Sequence, residues 1–347
     1  MPGGPEIKRA ADRVAIIGAG ISGLVCARKL AEDGAVVQVY EKARGPGGRM
    51  STRRADDRRF DHGAQYFTVR NPRFSRQVDS WLQQGLVEEW AGTIAVVDRG
   101  AIEVKDGSTE RFVGVPGMNA ICRHLAAGLD VSYRAEVAGL ERTEAGWQLT
   151  AADGADIGRF GAVVISAPAP QTARLLEPAA PEMAAIAASV VMAPCWAVMV
   201  GFGRPLEIGF DGAFVVDSPL SWVARNASKP GRPDDESWIL HASPEWSQRH
   251  LELDPKRAAD RLLQAFHDAL GEPVEAPVHI EAHRWRFALP TEPLAAPCLT
   301  DPDLRLIACG DWCGGPRVEG AWRSGFEAAR RFAEFAFQTQ RRPSGDP

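Results

Sequence analysis

The chain has 347 residues, 45% hydrophobic and 24% charged, with a net charge of -5; this is the profile of a soluble globular protein long enough for two domains. A mildly acidic chain offers no electrostatic footprint for nucleic acid, and no apolar run reaches the length that spans a bilayer. The opening residues, MPGGPEIKRAAD, lack the apolar core of a secretory signal. Six cysteines (26, 122, 195, 298, 309 and 313) follow neither a disulfide rhythm nor a metal-ligand spacing. The expectation is a cytoplasmic protein with no metal, membrane or nucleic-acid partner; the oligomeric state is left open.

In chain order, Val14 to Ile17 reads as a buried strand that delivers the backbone to Gly18-Ala19-Gly20-Ile21-Ser22-Gly23. Leu24 to Glu32 has helical spacing, Gly34 breaks it, and Val36 to Tyr40 is a second buried strand. In this context each glycine has a reason: Gly18 permits the tight turn, Gly20 the approach of a pyrophosphate, and Gly23 close packing of helix on sheet. The helix N-terminus supplies free N–H groups and the positive end of its dipole. Glu41 lies roughly 20 residues on, where an acid accepts the hydroxyls of an adenosine ribose. Its charge also argues against a 2′-phosphate in that pocket. Dinucleotide binding follows.

Arg44-Gly45-Pro46-Gly47-Gly48-Arg49 resembles the glycine doublet of two-dinucleotide-binding-domain flavoproteins. The resemblance implies FAD, held non-covalently, with Lys42, Arg44, Gly48 and Arg49 near its phosphates. Phe60-Asp61-His62-Gly63-Ala64-Gln65-Tyr66-Phe67 alternates aromatic and polar residues around a glycine, and by itself reads as a strand edge. It is similar to the segment that runs beside the isoalloxazine in amine-oxidase-like flavoproteins, which implies Ala64 and Gln65 as contacts. Asn71 to Gln84 has helical spacing, followed by short strands at Leu86–Trp90, Thr93–Val97 and Ala101–Val104. A helix starts at Pro116-Gly117-Met118-Asn119. Val131 to Leu140 and Trp147 to Thr150 alternate as antiparallel strands around Glu144-Ala145-Gly146, and the same resemblance implies an adenine contact at Val137. Ala162 to Pro168 is a buried parallel-type strand.

The middle third is strand-like at Cys195–Gly203, Gly212–Val216, Ser221–Ala224, Trp238–Ala242 and Val278–Trp285, and it concentrates tryptophans (196, 222, 238, 246 and 285). Such rings either pack the core or form a flat apolar slot. Asn226 to Glu236 is polar and proline-rich and reads as a surface loop. Asp254 to Leu270 is an amphipathic helix with an Asp-Pro start. Leu304 to Cys309 is a last apolar strand, ended by Gly310-Asp311, and Arg317 opens a long helix reaching about Phe337.

GAGISGL, YEKARGPGGRM, FDHGAQYF, PGMNAI, WILHASPEW, HRW and CGDWCGGPRVEGAWRSG together resemble the bacterial renalases, small amine-oxidase-like flavoproteins, over essentially the whole chain. The implied fold class is α/β: a Rossmann-like FAD domain with a second, mixed or antiparallel-sheet substrate domain, in the p-hydroxybenzoate-hydroxylase topology. The expected division is 1–70, 105–172 and 296–340 for FAD, 71–104 and 173–295 for substrate, and 341–347 as a tail. The resemblance adds Gly310, Asp311, Glu319, Gly320 and Ala321 as cofactor contacts, with the last helix pointing its N-terminus at the flavin. It implies an oxidase of 2- or 6-dihydro-NAD(P) and α-NAD(P)H, which transfers hydride to the flavin and reduces oxygen to hydrogen peroxide. A dihydropyridine needs placement rather than a base; Tyr66, His241, Trp246 and Trp285 are the placement candidates, with no certain catalytic side chain. Two rivals remain: an amine oxidase or desaturase, and a flavin-bound redox-sensing interaction protein. Against the first, the C-terminal half offers only Lys229, in the polar loop, and Lys256, on a surface helix, as a flavin-side lysine.

Overall fold

The computed structural model describes residues 13–271 and 275–341; the expected tail from residue 342 and the N-terminal dodecapeptide lie outside the described residues. The chain divides into two compact units. Unit 1 takes the residues up to Gly48, Cys122–Val191 and the residues from Pro290 on; unit 2 takes Arg49–Ile121 and Met192–Leu289. Residues 49–70 and 105–121, expected in the cofactor domain, thus cluster with unit 2, and 173–191 and 290–295 with unit 1.

Unit 1 is built on a six-stranded sheet ordered Leu299–Asp301, Leu306–Ala308, Ala162–Ile165, Arg13–Ile17, Val36–Glu41, Asp130–Tyr133. All neighbours run parallel except the first pair. Val14, Ala15, Ile16 and the whole of Ala162–Ile165 are buried, as expected of parallel strands covered on both faces. The helix Ile21–Glu32 follows the first strand, and the long helix Arg317–Arg341 packs against it. A Cβ on Gly325 would lie 2.0 Å from the Ser22 carbonyl oxygen, so only glycine permits this crossing. The expected strand Val131–Leu140 is two strands. Arg134 adopts φ +57°, and the backbone N–H groups of Arg134 and Ala135 donate to Ala43 and Glu41. Asp130–Tyr133 therefore joins the parallel sheet, while Val137–Thr143 starts an antiparallel sheet with Gly146–Ala151 and Asp156–Phe160.

Unit 2 holds a mixed seven-stranded sheet ordered His279–Pro290, Met192–Gly201, Ser237–Ala242, Leu220–Arg225, Gly212–Val215, Ile94–Asp98, Ala101–Val104. The helix Pro255–Leu270 covers it, burying Ala258, Ala259, Leu262, Ala265, Phe266 and Ala269 at three- and four-residue spacing. Asp254 caps its start by accepting from the Lys256 and Arg257 N–H groups, and Gly271 ends it at φ +77°. Trp196 and Trp238 lie inside this core with Val198, Val200 and Leu240. They are packing residues, not the walls of a slot.

Candidate functional site

In unit 1 the strand Arg13–Ile17 sits between Ala162–Ile165 and Val36–Glu41, so the chain leaves it in opposite directions on its two sides. That switch point is where open parallel sheets bind ligands, at the strands' carboxyl ends. The Gly18 N–H donates to Tyr40 O at 2.8 Å and closes the turn. A Cβ on Gly23 would meet the Gly18 carbonyl oxygen at 2.2 Å, whereas one on Gly20 would meet nothing within 4 Å. The protein itself therefore has no need of glycine at position 20; the open space there fits a close-lying phosphate. The helix starts at Ile21 with Gly20 as its N-cap and no side chain capping it, which leaves the end of the helix dipole for an anion.

Glu41 is buried, and its carboxylate accepts the Ala19 N–H and the Ala43 N–H, both at 2.8 Å. Two backbone donors fix its orientation and leave further acceptor capacity for hydroxyl donors. Ala19, Ile21 and Ser22 are buried beside it, and Lys42 and Arg44 are exposed. Gly48 lies close to Gly20, its notional Cβ 3.6 Å from the Gly20 Cα. Val137 is buried at the start of its hairpin. The Gly310 N–H donates to Ser324 Oγ, which donates in turn to Pro297 O; Asp311 is buried. Glu319 is half-buried in the first turn of the closing helix, followed by buried Gly320 and Ala321. In unit 1 the glycine turn, Glu41 and Gly310-Asp311 thus stand at the carboxyl ends of strands of one sheet.

Unit 2 arranges its own candidates in two groups. In the first, the His62 carbonyl is a shared acceptor for Trp285 Nε1–H at 2.9 Å and for the His241 ring at 3.2 Å. His62 stacks on Trp285 with centroids 5.0 Å apart, and His283 meets both rings edge-on. Burial pushes the three imidazoles down, His62 to about 3 and His241 and His283 to about 4. Burial thus favours the neutral form of all three rings, with the Arg53 guanidinium 3.4 Å from His283 Nδ1. In the second group Tyr66 packs with Trp90 and Trp222 under the Arg111 guanidinium. Trp246 belongs to neither; it is buried and stacks on His250.

Beside the ring wall lies a buried polar cluster that sequence reasoning missed. Asp61, wholly buried, accepts from Arg232 at 2.5 Å, from the Thr52 hydroxyl at 2.6 Å and from the Met118 N–H at 3.0 Å. Burial works to raise its carboxyl; Arg232, then Lys229, overcome that and hold it below the usual range. Lys229 Nζ donates to Gln65 Oε1 at 3.0 Å and Asn226 Oδ1 at 3.3 Å and stands 3.9 Å from Asp61. Burial lowers it to about 7, against the pull of Asp61. The stretch Asn226 to Glu236 is therefore no simple surface loop: Asn226, Lys229 and Arg232 are all buried, because Asp61 requires cationic partners inside the protein. Gln65 donates its amide to the Asp61 and Gly63 carbonyls, and Ala64 N–H donates to Arg49 O at 2.8 Å. Arg49 reaches Ala288 O at 2.8 Å.

Comparison with known proteins now identifies the framework. Residues 16–81 match the NAD(P)-binding Rossmann-like domain, and residues 80–332 match the flavin containing amine oxidoreductases. The chain belongs to the flavin containing amine oxidoreductase family. Membership implies a flavin cofactor, which the open cradle at Gly20 and the Glu41 carboxylate fit. A stretch of 51 residues is 45% identical to a zeta-carotene-forming phytoene desaturase of Myxococcus xanthus, covering 15% of this chain and 10% of that protein. Among solved structures, cyclohexylamine oxidase from Brevibacterium oxydans IH-35A aligns over 95% of this chain and 99% of its own, with TM-score 0.73 and 15% identity. Putrescine oxidase bound to putrescine aligns over 93% and 99%, with TM-score 0.71 and 16% identity. At that identity the likeness is one of fold. No helix among the described residues is long and apolar enough to cross a membrane, and no group of three or more His, Cys, Asp or Glu among them could hold a metal.

Proposed function

We propose that this protein oxidises dihydronicotinamide dinucleotides reduced at the 2 or 6 position, or carrying the α anomer, to NAD(P)+. Non-covalent FAD is the cofactor and O2 the final acceptor. The observation that carries the reading is charge. Asp61, the one wholly buried aspartate or glutamate among the described residues of unit 2, is already matched by Arg232 and Lys229, and burial favours the neutral form of the rings around the His62 carbonyl. A protonated amine finds no anionic partner there, and an uncompensated ammonium in such a setting is costly. A flat dihydropyridine attached to an anionic dinucleotide finds rings to stack on and cations nearby.

Bound flavin supplies the two-electron acceptor. The protein's work is placement: Glu41 and the helix N-terminus at Ile21 hold the cofactor, and Trp285, His62, His241 and His283 stack and orient the nicotinamide while keeping water out. No base is required, since the ring nitrogen of a dihydropyridine drives out the hydride. The balance is one dihydronicotinamide, one O2 and one proton to one NAD(P)+ and one H2O2. Anaerobic mixing of the purified FAD protein with 6-dihydro-NAD should bleach the flavin rapidly. Ordinary 4-dihydro NADH and putrescine should bleach it little over the same time. Equal rates with putrescine would overturn the reading.

A second reading, an amine oxidase or desaturase, gains from Lys229. A buried lysine near neutrality is a potential proton acceptor, and Lys229 lies inside unit 2 and not in an exposed loop.

A further inference from the structure

We infer that Lys229 is a positioning residue for the ring wall, acting through Gln65 and the turn Asp61–Gly63. The links are all in unit 2. The Lys229 ammonium holds Gln65 Oε1, which fixes the orientation of the amide and points its NH2 at the Asp61 and Gly63 carbonyls. Those two carbonyls bracket His62. The His62 carbonyl then sets the position of both the Trp285 indole and the His241 imidazole. Lys229 itself is walled by Asn226 and the Trp90 face, 5.6 Å from its Nζ, so its charge has no exit to water. Arg232 cannot substitute for it, because its guanidinium is committed to Asp61 and to the Gly114 and Pro230 carbonyls. A buried cation is an expensive way to hold one amide, and the geometry assigns it the task of orienting the turn that carries His62.

The inference rests on the proposed function for its kinetic readout only. Lys229→Met leaves Gln65 Oε1 and Asn226 Oδ1 short of a donor and Asp61 short of a cation, and should lower the melting temperature. Adding Gln65→Leu removes the orphaned amide and should restore part of the stability, with Arg232 left as the cation on Asp61. If Lys229 positions the wall, the double variant regains part of its stability but its flavin reduction by 6-dihydro-NAD stays slower by up to about 100-fold, the scale of a 1 Å misplacement. A purely structural lysine would show a lowered melting temperature in Lys229→Met with the reduction rate, measured well below that temperature, at its wild-type value. The second readout needs no substrate: hydrogen exchange of the Trp285 indole N–H, followed by 15N NMR and assigned with Trp285→Phe. It should quicken at least tenfold in both variants. Should wild type fail to react with 6-dihydro-NAD, the functional reading falls and the indole exchange alone decides. Should Lys229→Met not fold, Gln65→Leu alone, which cuts the same link from its other end, is read in the same two ways. Indole exchange unchanged from wild type overturns the inference.

Discussion

The two units handle a buried carboxylate in opposite ways. Glu41 of unit 1 is held by backbone N–H groups 2 and 22 residues away, and its surplus acceptor capacity is what a ligand would use. Asp61 of unit 2 is held by Thr52, Met118 and Arg232, the last 171 residues away, and its charge is already met within the unit. The first arrangement suits a receptor and the second a joint. One has acceptor capacity to spare for a ligand; the other has its charge met and ties together the side chains around it.

The largest expected effect tests the joint. Arg232→Met leaves the Asp61 carboxylate buried with Lys229 as its remaining cation, and breaking such a pair costs about 3–5 kcal/mol. Chemical denaturation at pH 7 measures this directly. A loss below about 1 kcal/mol would mean that Asp61 escapes to water or takes up a proton, and that the contrast between the units is false.

Glu41→Ala tests the receptor. Removing a charge-assisted hydrogen-bond acceptor should weaken FAD retention by about 1–3 kcal/mol, read as the dissociation constant for flavin added back to the stripped protein. Some loss of stability will accompany it, since the Ala19 and Ala43 N–H groups lose their acceptor. Unchanged flavin affinity would show that the ribose is held elsewhere.

The same contrast explains what was legible in the sequence. GAGISG, Glu41 and the Asp254-Pro255 cap belong to short runs of chain: Glu41 and its partner Ala19 are 22 residues apart and the cap reaches two and three residues on, so spacing suggests them. Asp61 stood in plain view in FDHGAQYF, yet nothing nearby says that it is buried. SKPGRP carries the two cations it requires but has the composition of an exposed loop, and composition cannot report that a proline-rich stretch folds inward around a distant carboxylate. The tryptophans stayed ambiguous in the sequence for the same reason. Trp196 and Trp238 fill the space between sheet and helix, whereas Trp285 is half-buried in the ring wall; which strand face each occupies depends on register across the whole sheet. The split of Val131–Leu140 depends on Arg134 and Ala135 bonding back to Ala43 and Glu41, contacts that a period-two pattern does not encode.

The effect that is smallest near neutral pH concerns the ring wall, and it appears only as a pH dependence in acid. His62 has its folded-state value pushed down to about 3 by burial, with His283, Arg53 and His241 adding repulsion, while the unfolded chain takes up its proton near 6.5. Between those values the unfolded state binds more protons than the folded one, so this group makes stability fall as pH drops from about 6.5 toward 3; above 6.5 it contributes no slope. The expected size is about 1.4 kcal/mol per pH unit in the middle of that window. His62→Gln removes the titration while keeping a polar side chain of similar reach. Its denaturation curves should therefore lose stability less steeply than wild type between pH 6 and 4, and run parallel to wild type between pH 7 and 8. Equal slopes in the acid window would mean that the folded His62 takes up its proton as the unfolded chain does, near 6.5. Burial would then not be what keeps the ring wall uncharged, and below about pH 6 the wall would carry a cation.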